Sequence, residues 1–221
     1  TSATAPVDDK GYFIGEKADV RKYGQPALAS VDEVEYTAVA PNQIVSVSTS
    51  LIPFLEHDDA ARALMGSNMQ RQAVPLIRPQ APVVGTGVEQ RAAYDSGRML
   101  ISKTDGTVVG VEADQISIQS ENGDVVEYFL EKVLRSNAST CLNQKPAVSK
   151  GDTVRSGDML ADGPAIQYGE LALGQNVLVA FMSWELGNYE DAILISERLV
   201  HDDRFTSTHI ENYSISVRDT K

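Results

Sequence analysis

Residues 106–130 constrain the fold most. Apolar and polar residues alternate through Thr107-Val-Val-Gly-Val111 and Gln115-Ile-Ser-Ile-Gln119, and Asn122-Gly123 leads into Asp124-Val-Val-Glu-Tyr-Phe-Leu130. Period-two alternation gives each strand two distinct faces. Asn-Gly between such runs is a strong local signal for a tight antiparallel turn. The segment is therefore predicted to be a hairpin continuing into a third strand, a structural excursion with little chemistry of its own.

Other β cues lie on both sides. Gly11-Tyr-Phe-Ile14, Glu35-Tyr-Thr-Ala-Val39 and the β-branched run from Gln43 to Ser50 read as strands, with Lys22-Tyr-Gly-Gln-Pro26 as a turn. From Lys150, the pairs Gly151-Asp152 and Gly157-Asp158 bracket a short strand, and Asp162-Gly163 marks a third turn. Glycine takes positive φ there, and aspartate closes the turn through its side chain. The apolar runs Asn176–Met182 and Ala192–Ile195 have the length of buried strands. Ser196 is placed to cap a short helix, and 210–217 alternates again. One segment asks for a longer helix: Asp58 or Asp59 as N-cap, then Ala60, Ala61, Ala63, Leu64 and Met65, with Pro75 and Pro79 preventing continuation. The expected class is α+β and β-rich.

The single cysteine, Cys141, allows no internal disulfide and fits a reducing compartment. No apolar stretch is long enough to span a bilayer, so no membrane partner is expected. The chain starts at Thr1 without a methionine and is expected to be an internal piece of a longer protein. Its net charge of −12 opposes nucleic-acid binding when taken as a sum. The distribution is uneven. Arg62, Arg71, Arg78, Arg91, Arg98 and Lys103 share their stretch with only Glu89 and Asp95, whereas seven acids fall between Asp105 and Glu131. A basic island can meet phosphate on one face while the acidic body stays solvated; scattered solvation charge is the plainer reading.

Chemistry could sit in few places. Glu190-Asp191 offers hard oxygen ligands of the kind Mg²⁺ takes, beside the apolar run 192–195; the plain alternative is a solvated turn. Arg62 can present a fork to a triphosphate or pair with Asp58 or Asp59. Arg71 lies nine residues on, half a turn out of phase with Arg62 in a straight helix. Either the helix breaks near Gly66-Ser67 or the two arginines face different ligands. Asn68, Arg71 and Gln72 share a face, and Met65 with Met69 forms a stripe suited to core packing. His57, His201 and His209 lack metal-ligand spacing, and Gly85-Thr-Gly87 lacks the lysine of a phosphate loop.

Several runs, in one order, resemble the bacterial-type RNA polymerase beta subunit family: Leu51–Pro75, Pro82-Val-Val-Gly-Thr-Gly87, Arg135-Ser-Asn137, Leu160-Ala-Asp-Gly-Pro164, Gly169–Asn176, Glu190–Arg198 and Arg218–Lys221. The resemblance is strong over 46–221 and looser over 1–45. It implies that 1–45 is the end of the external domain. It implies that 46–221 begins the core domain, with the first half of a double-psi β-barrel. It makes Arg62 a contact to the incoming nucleoside triphosphate. It makes Glu190 and Asp191 carboxylates near that triphosphate and a second magnesium, reached directly or through water. Asn68, Arg71 and Gln72 become positions facing RNA. The main catalytic magnesium belongs, in the family, to the beta-prime subunit, so this piece alone is expected to be inactive. Implied partners are the beta-prime and alpha subunits, the rest of beta, a sigma factor, DNA template and RNA. The implied location is cytoplasmic and nucleoid-associated, or the plastid for a chloroplast-type enzyme. Three positions depart from the family pattern: Ser183 stands for a proline, Gly187 is displaced by one position, and Ala61 replaces an asparagine. Two rival expectations are a noncatalytic scaffold for polymerase assembly and a free-standing carboxylate–metal phosphohydrolase. The lone carboxylate pair argues against the second.

Overall fold

The computed structural model of the chain describes residues 1–218, except the side chains of Pro41 and Asn42; of the run Arg218–Lys221, the last three residues lie outside the described residues. Two compact units divide the chain, Thr1–Ser50 and Leu51–Lys221.

In the first unit, β1 (Lys17–Lys22) pairs antiparallel with β2 (Gln25–Ser30) in unbroken register from Lys17↔Ser30 to Lys22↔Gln25. Tyr23 and Gly24 turn the hairpin at φ 52° and 79°. Positive φ at both central residues matches the twist of the flanking strands, so the turn expected at 22–26 is present. The flanking strands expected at 11–14 and 35–39 are not. Phe13 makes only an isolated bridge to Val7. The reason is local: the Asp8 carboxylate accepts from the Lys10 and Tyr12 amides at 3.0 and 2.8 Å, which closes a turn where a strand would need those donors. The expected strand at 43–50 is replaced by a 3₁₀ turn, Pro41–Ile44, and the short helix α1 (Val47–Ser50). Ser46 Oγ accepts from Thr49 N at 3.1 Å, and Ser50 Oγ donates to the Val47 carbonyl at 2.7 Å. Here hydroxyl groups outcompete β-propensity.

In the second unit, α2 (Ala60–Gln70) starts at Asp59, whose side chain accepts from Ala61 N at 3.0 Å. It runs unbroken through Gly66-Ser67, so the helix break considered above does not occur. A further helix, α3 (Glu89–Asp95), was not anticipated. Then come β3 (Leu100–Ile101), β4 (Gly106–Val111), β5 (Gln115–Ser120), β6 (Val125–Phe129), β7 (Leu134–Arg135), β8 (Cys141–Leu142) and β9 (Lys145–Pro146). They are followed by β10 (Thr153–Val154), β11 (Met159–Asp162), β12 (Ile166–Gln167), β13 (Glu170–Leu171) and α4 (Arg198–His201).

The main sheet is antiparallel, in the order β10-β4-β5-β6, and a second sheet has the order β3-β11-β9. Alternation decides the core: Ile116 and Ile118 are fully buried with Val108, Tyr128, Leu130, Val154 and Leu160. A smaller cluster joins Ala93 of α3 to Met99 and Ile166. The β5–β6 turn is offset by one residue from expectation. Gly123 N bonds the Ser120 carbonyl at 2.9 Å, so Glu121-Asn122 are central and Gly123 takes the left-handed position at φ 88°. Gly106 is required for close approach: an added Cβ would collide with the Gln119 carbonyl and lie 2.8 Å from Ile118.

The Gly-Asp turns form as expected. Ser149 N and Arg155 N donate to the carboxylates of Asp152 and Asp158 at 2.7 and 2.8 Å, and Gly151 and Gly157 take φ 99° and 96°. Asp162 accepts from both Tyr168 N and Gly169 N at 2.9 Å.

Three expected strands are absent. The runs 176–182 and 192–195 form no strand and are exposed, with Phe181 97% accessible, and 210–217 forms no strand, with 211–217 exposed. An apolar run becomes a buried strand only against a partner, and none of the described strands pairs with these runs. Ser196 does serve the last helix, accepting from Arg198 N at 3.3 Å through Oγ, although Glu197 holds the cap position.

Candidate functional site

Helix α2 displays an open surface. Its only buried residue is Ser67. Met65 and Met69, expected in a core, are 49% and 62% accessible. Arg62 is exposed, and its guanidinium approaches Met65 Sδ at 3.6 Å. No ion pair to Asp58 or Asp59 forms among the described residues. Asn68 and Arg71 are brought together as their shared face implies: the Arg71 guanidinium donates to the Asn68 side-chain oxygen in a short contact. Arg71 is the C-cap, and Gln72 follows with its amide on the Met69 carbonyl at 3.0 Å. Both are exposed. Ending the helix at Gln70 leaves Arg71 and Gln72 at its rim, with Arg71 half a turn around from Arg62.

Glu190 and Asp191 sit in a loop, and the run 192–195 beside them forms no strand. Asn188 organises it: its Oδ1 accepts from Trp184 N at 2.9 Å, and its Nδ2 donates to the Met182 carbonyl at 2.6 Å. Gly187 N closes a turn on the Trp184 carbonyl at 2.9 Å. The two central residues of that turn, Glu185 and Leu186, have φ 47° and 59°, a conformation costly for residues with a Cβ. Gly187 does not take it. Glu190 is also left-handed, at φ 56°. Both carboxylates are exposed.

An open groove of about 980 Å³ runs along this loop, lined by Glu190 and by apolar side chains including Leu178, Phe181, Trp184, Ile193 and Leu194. Asp191 and Arg62 do not line it. Among the described residues no group of three or more His, Cys, Asp or Glu side chains converges to hold a metal ion. Two exposed carboxylates fit Mg²⁺ only as part of a donor set completed by water and phosphate oxygens, the arrangement this cation prefers.

One functional-looking carboxylate escaped the sequence reading. Glu89 is buried at the start of α3 and accepts from Thr86 N at 2.7 Å and Gly87 N at 2.8 Å. Burial pushes its pKa up. The amides of Thr86, Glu89 and Gly87 and the Thr86 hydroxyl together outweigh that and hold it below the usual value. The signal was legible as Thr86-Gly-Val-Glu89, a capping-box spacing. The site serves the turn before α3: a Cβ at Gly85 would lie 2.7 Å from the Glu89 carboxylate.

No helix among the described residues is long and apolar enough to cross a membrane. Comparison with known proteins is direct. The family described as RNA polymerase Rpb2, domain 6 matches residues 101–221. Proteins named DNA-directed RNA polymerase subunit beta are similar over nearly the whole chain. The relative from Thermosynechococcus vestitus is 59% identical over 98% of this chain. Those from Gloeobacter violaceus and Chloroflexus aggregans are 59% and 56% identical over 97% and 99%. The chain spans about a fifth of the length of these curated relatives, covering 20%, 19% and 18% of them respectively. The β-rich unit that carries the family match and the near-continuous similarity around it lead to one assignment: the chain belongs to the RNA polymerase beta-subunit family.

Proposed function

We propose that this chain forms one wall of the active site for DNA-templated RNA synthesis. It works within an assembly of beta-prime and alpha subunits, the remainder of beta and a sigma factor, on DNA, RNA and nucleoside triphosphates, in the cytoplasm or, for a chloroplast-type enzyme, the plastid. Similarity to beta subunits across 97–99% of the chain carries this reading. The state of Arg62 supports it: an exposed guanidinium with no carboxylate partner among the described residues is free to bind an anion.

In this reading Arg62 holds the incoming triphosphate. Glu190 and Asp191 hold a second magnesium, directly or through water. That ion, when bound, supplies neutralisation of phosphate charge. Asn68, Arg71 and Gln72 face RNA, with Asn68 steadying the Arg71 fork. Phosphoryl transfer is largely positioning and charge neutralisation, so side chains that only orient the nucleotide act on rate. Residues 1–45 are the end of the external domain. Residues 46–221 are the first part of the core domain, with the first half of a double-psi β-barrel. The piece alone is inactive because it lacks the main metal site.

The test is Arg62→Ala in the assembled polymerase. The nucleotide KM is expected to rise about tenfold or more, the scale of one charge-assisted contact. An unchanged nucleotide dependence refutes the role. A second reading is a noncatalytic scaffold, favoured by the exposed apolar groove around Leu178 and Trp184. Normal assembly with normal catalysis after altering Arg62, Glu190 and Asp191 would select it.

A further inference from the structure

We propose that the polar cleft between the Arg78–Gln80 segment and the turn 201–204 binds a small polyphosphate anion of the pyrophosphate class. This goes beyond the reading above and uses none of its residues. The cleft encloses about 730 Å³, room for a small ligand.

Charge is the first argument. In a chain of net charge −12, Arg78, Lys145 and Arg204 line one cleft, with His201 beside them. Two acids also stand at its wall, so the three cations outnumber them by one. Asp202 faces Arg198 at 3.4 Å and Arg204 at 3.9 Å, and Asp203 accepts from the Thr206 hydroxyl at 3.0 Å. Lys145 spends one donor on the Ile77 carbonyl at 2.6 Å and keeps two. Arg78 has no side-chain partner among the described hydrogen bonds and ion pairs.

Donor supply is the second. Gln167 accepts from Ala81 N at 2.7 Å and Gln80 from Asn176 N at 3.0 Å, each through its side-chain oxygen. Both carboxamides are thereby fixed, and each NH₂ group remains as a donor. Gln175 donates its NH₂ to the Arg78 carbonyl, which leaves its buried oxygen without a partner. A phosphate meets this supply with several acceptor oxygens for the cations and amides.

The walls are also tied. Ile77 N bonds the Thr206 carbonyl at 3.0 Å, and Gln80 bridges to Gly174. Little ordering cost remains on binding. The cations gather around one cleft rather than along a track, which suits a compact polyanion over a nucleic-acid backbone. Asp202 and Arg204 line both this cleft and the groove that holds Glu190, so the two share a wall.

Hydrogen–deuterium exchange of the full-length beta subunit in its polymerase, titrated with pyrophosphate, tests this. Peptides covering 76–81 and 199–206 should gain protection. Half-protection should need about tenfold more pyrophosphate in Arg78→Gln and in Arg204→Gln, a smaller increase in Arg78→Lys, and no more in Arg91→Gln. Exchange within β4 and β5 reports that each variant is folded. The proposal is overturned by protection that is absent, that is unchanged in both glutamine variants, or that is complete before ligand is added. The last result would mean that another part of the polymerase fills the cleft.

Discussion

The four-stranded sheet and the segment from Asn176 to Val217 are both rich in Val, Ile and Leu, yet they end in opposite states. In the sheet, Ile116 and Ile118 are inaccessible, while in the later segment Leu178 and Phe181 stand in the open. Hydrophobicity does not separate them. The sheet brings most of its own partners: β4, β5 and β6 each meet the next after a turn of a few residues, and the turn residues fix the register, while β10 joins β4 from further along the chain. The later segment has loops around Trp184 and Tyr189 where a hairpin turn would be needed, and none of the described strands pairs with its apolar runs 176–182 and 192–195. An apolar run states a need for cover; only turn chemistry states where the cover is.

The largest expected effect breaks or confirms this contrast. Ile118→Ala should destabilise the 221-residue chain by about 2–5 kcal/mol in denaturant unfolding, whereas Leu178→Ala should stay within about 0.5 kcal/mol. Equal losses would mean the later segment is buried within this chain, and the contrast would fail.

Next is Glu89→Gln, which sharpens the role of local anchoring. A charged acceptor for the Thr86 and Gly87 amides is worth about 1.5–3 kcal/mol. Because the folded-state pKa is lowered, the contribution is full above the unfolded value of about 4.3 and is lost as pH falls through the lower folded value. The stability gap between wild type and variant should therefore shrink on acidification; a gap independent of pH would remove the carboxylate from the account.

The smallest effect has the opposite sign. Leu186→Gly should stabilise by about 1 kcal/mol, since Leu186 is exposed and sits at φ 59°. A loss of stability would show that its side chain, not its backbone, governs the loop.

Much of the fold was legible where backbone and side-chain chemistry coincide within a few residues. The strands at 107–111 and 115–119, the Asp59 cap and the Gly-Asp turns needed no distant information. The strand expected at 43–50 failed because Ser46 and Ser50 hold the backbone locally. Those at 176–182 and 192–195 failed because pairing is not a local property. Of the candidate site, the Asn68–Arg71 pair followed from helical phase, and Glu89 could have been found from its capping spacing. The positive φ at Glu185 and Leu186 could not, since glycine placement pointed to Gly187 instead.

The central claim is that Arg62 and the Glu190–Asp191 pair act on one triphosphate. A double-mutant cycle in the assembled polymerase, with Arg62→Ala and Glu190→Ala/Asp191→Ala read out as kcat/KM for nucleotide addition, tests it most directly. Shared action predicts that the combined loss departs from the sum of the separate losses by about 1 kcal/mol or more. Losses that add to within about 0.5 kcal/mol would contradict it.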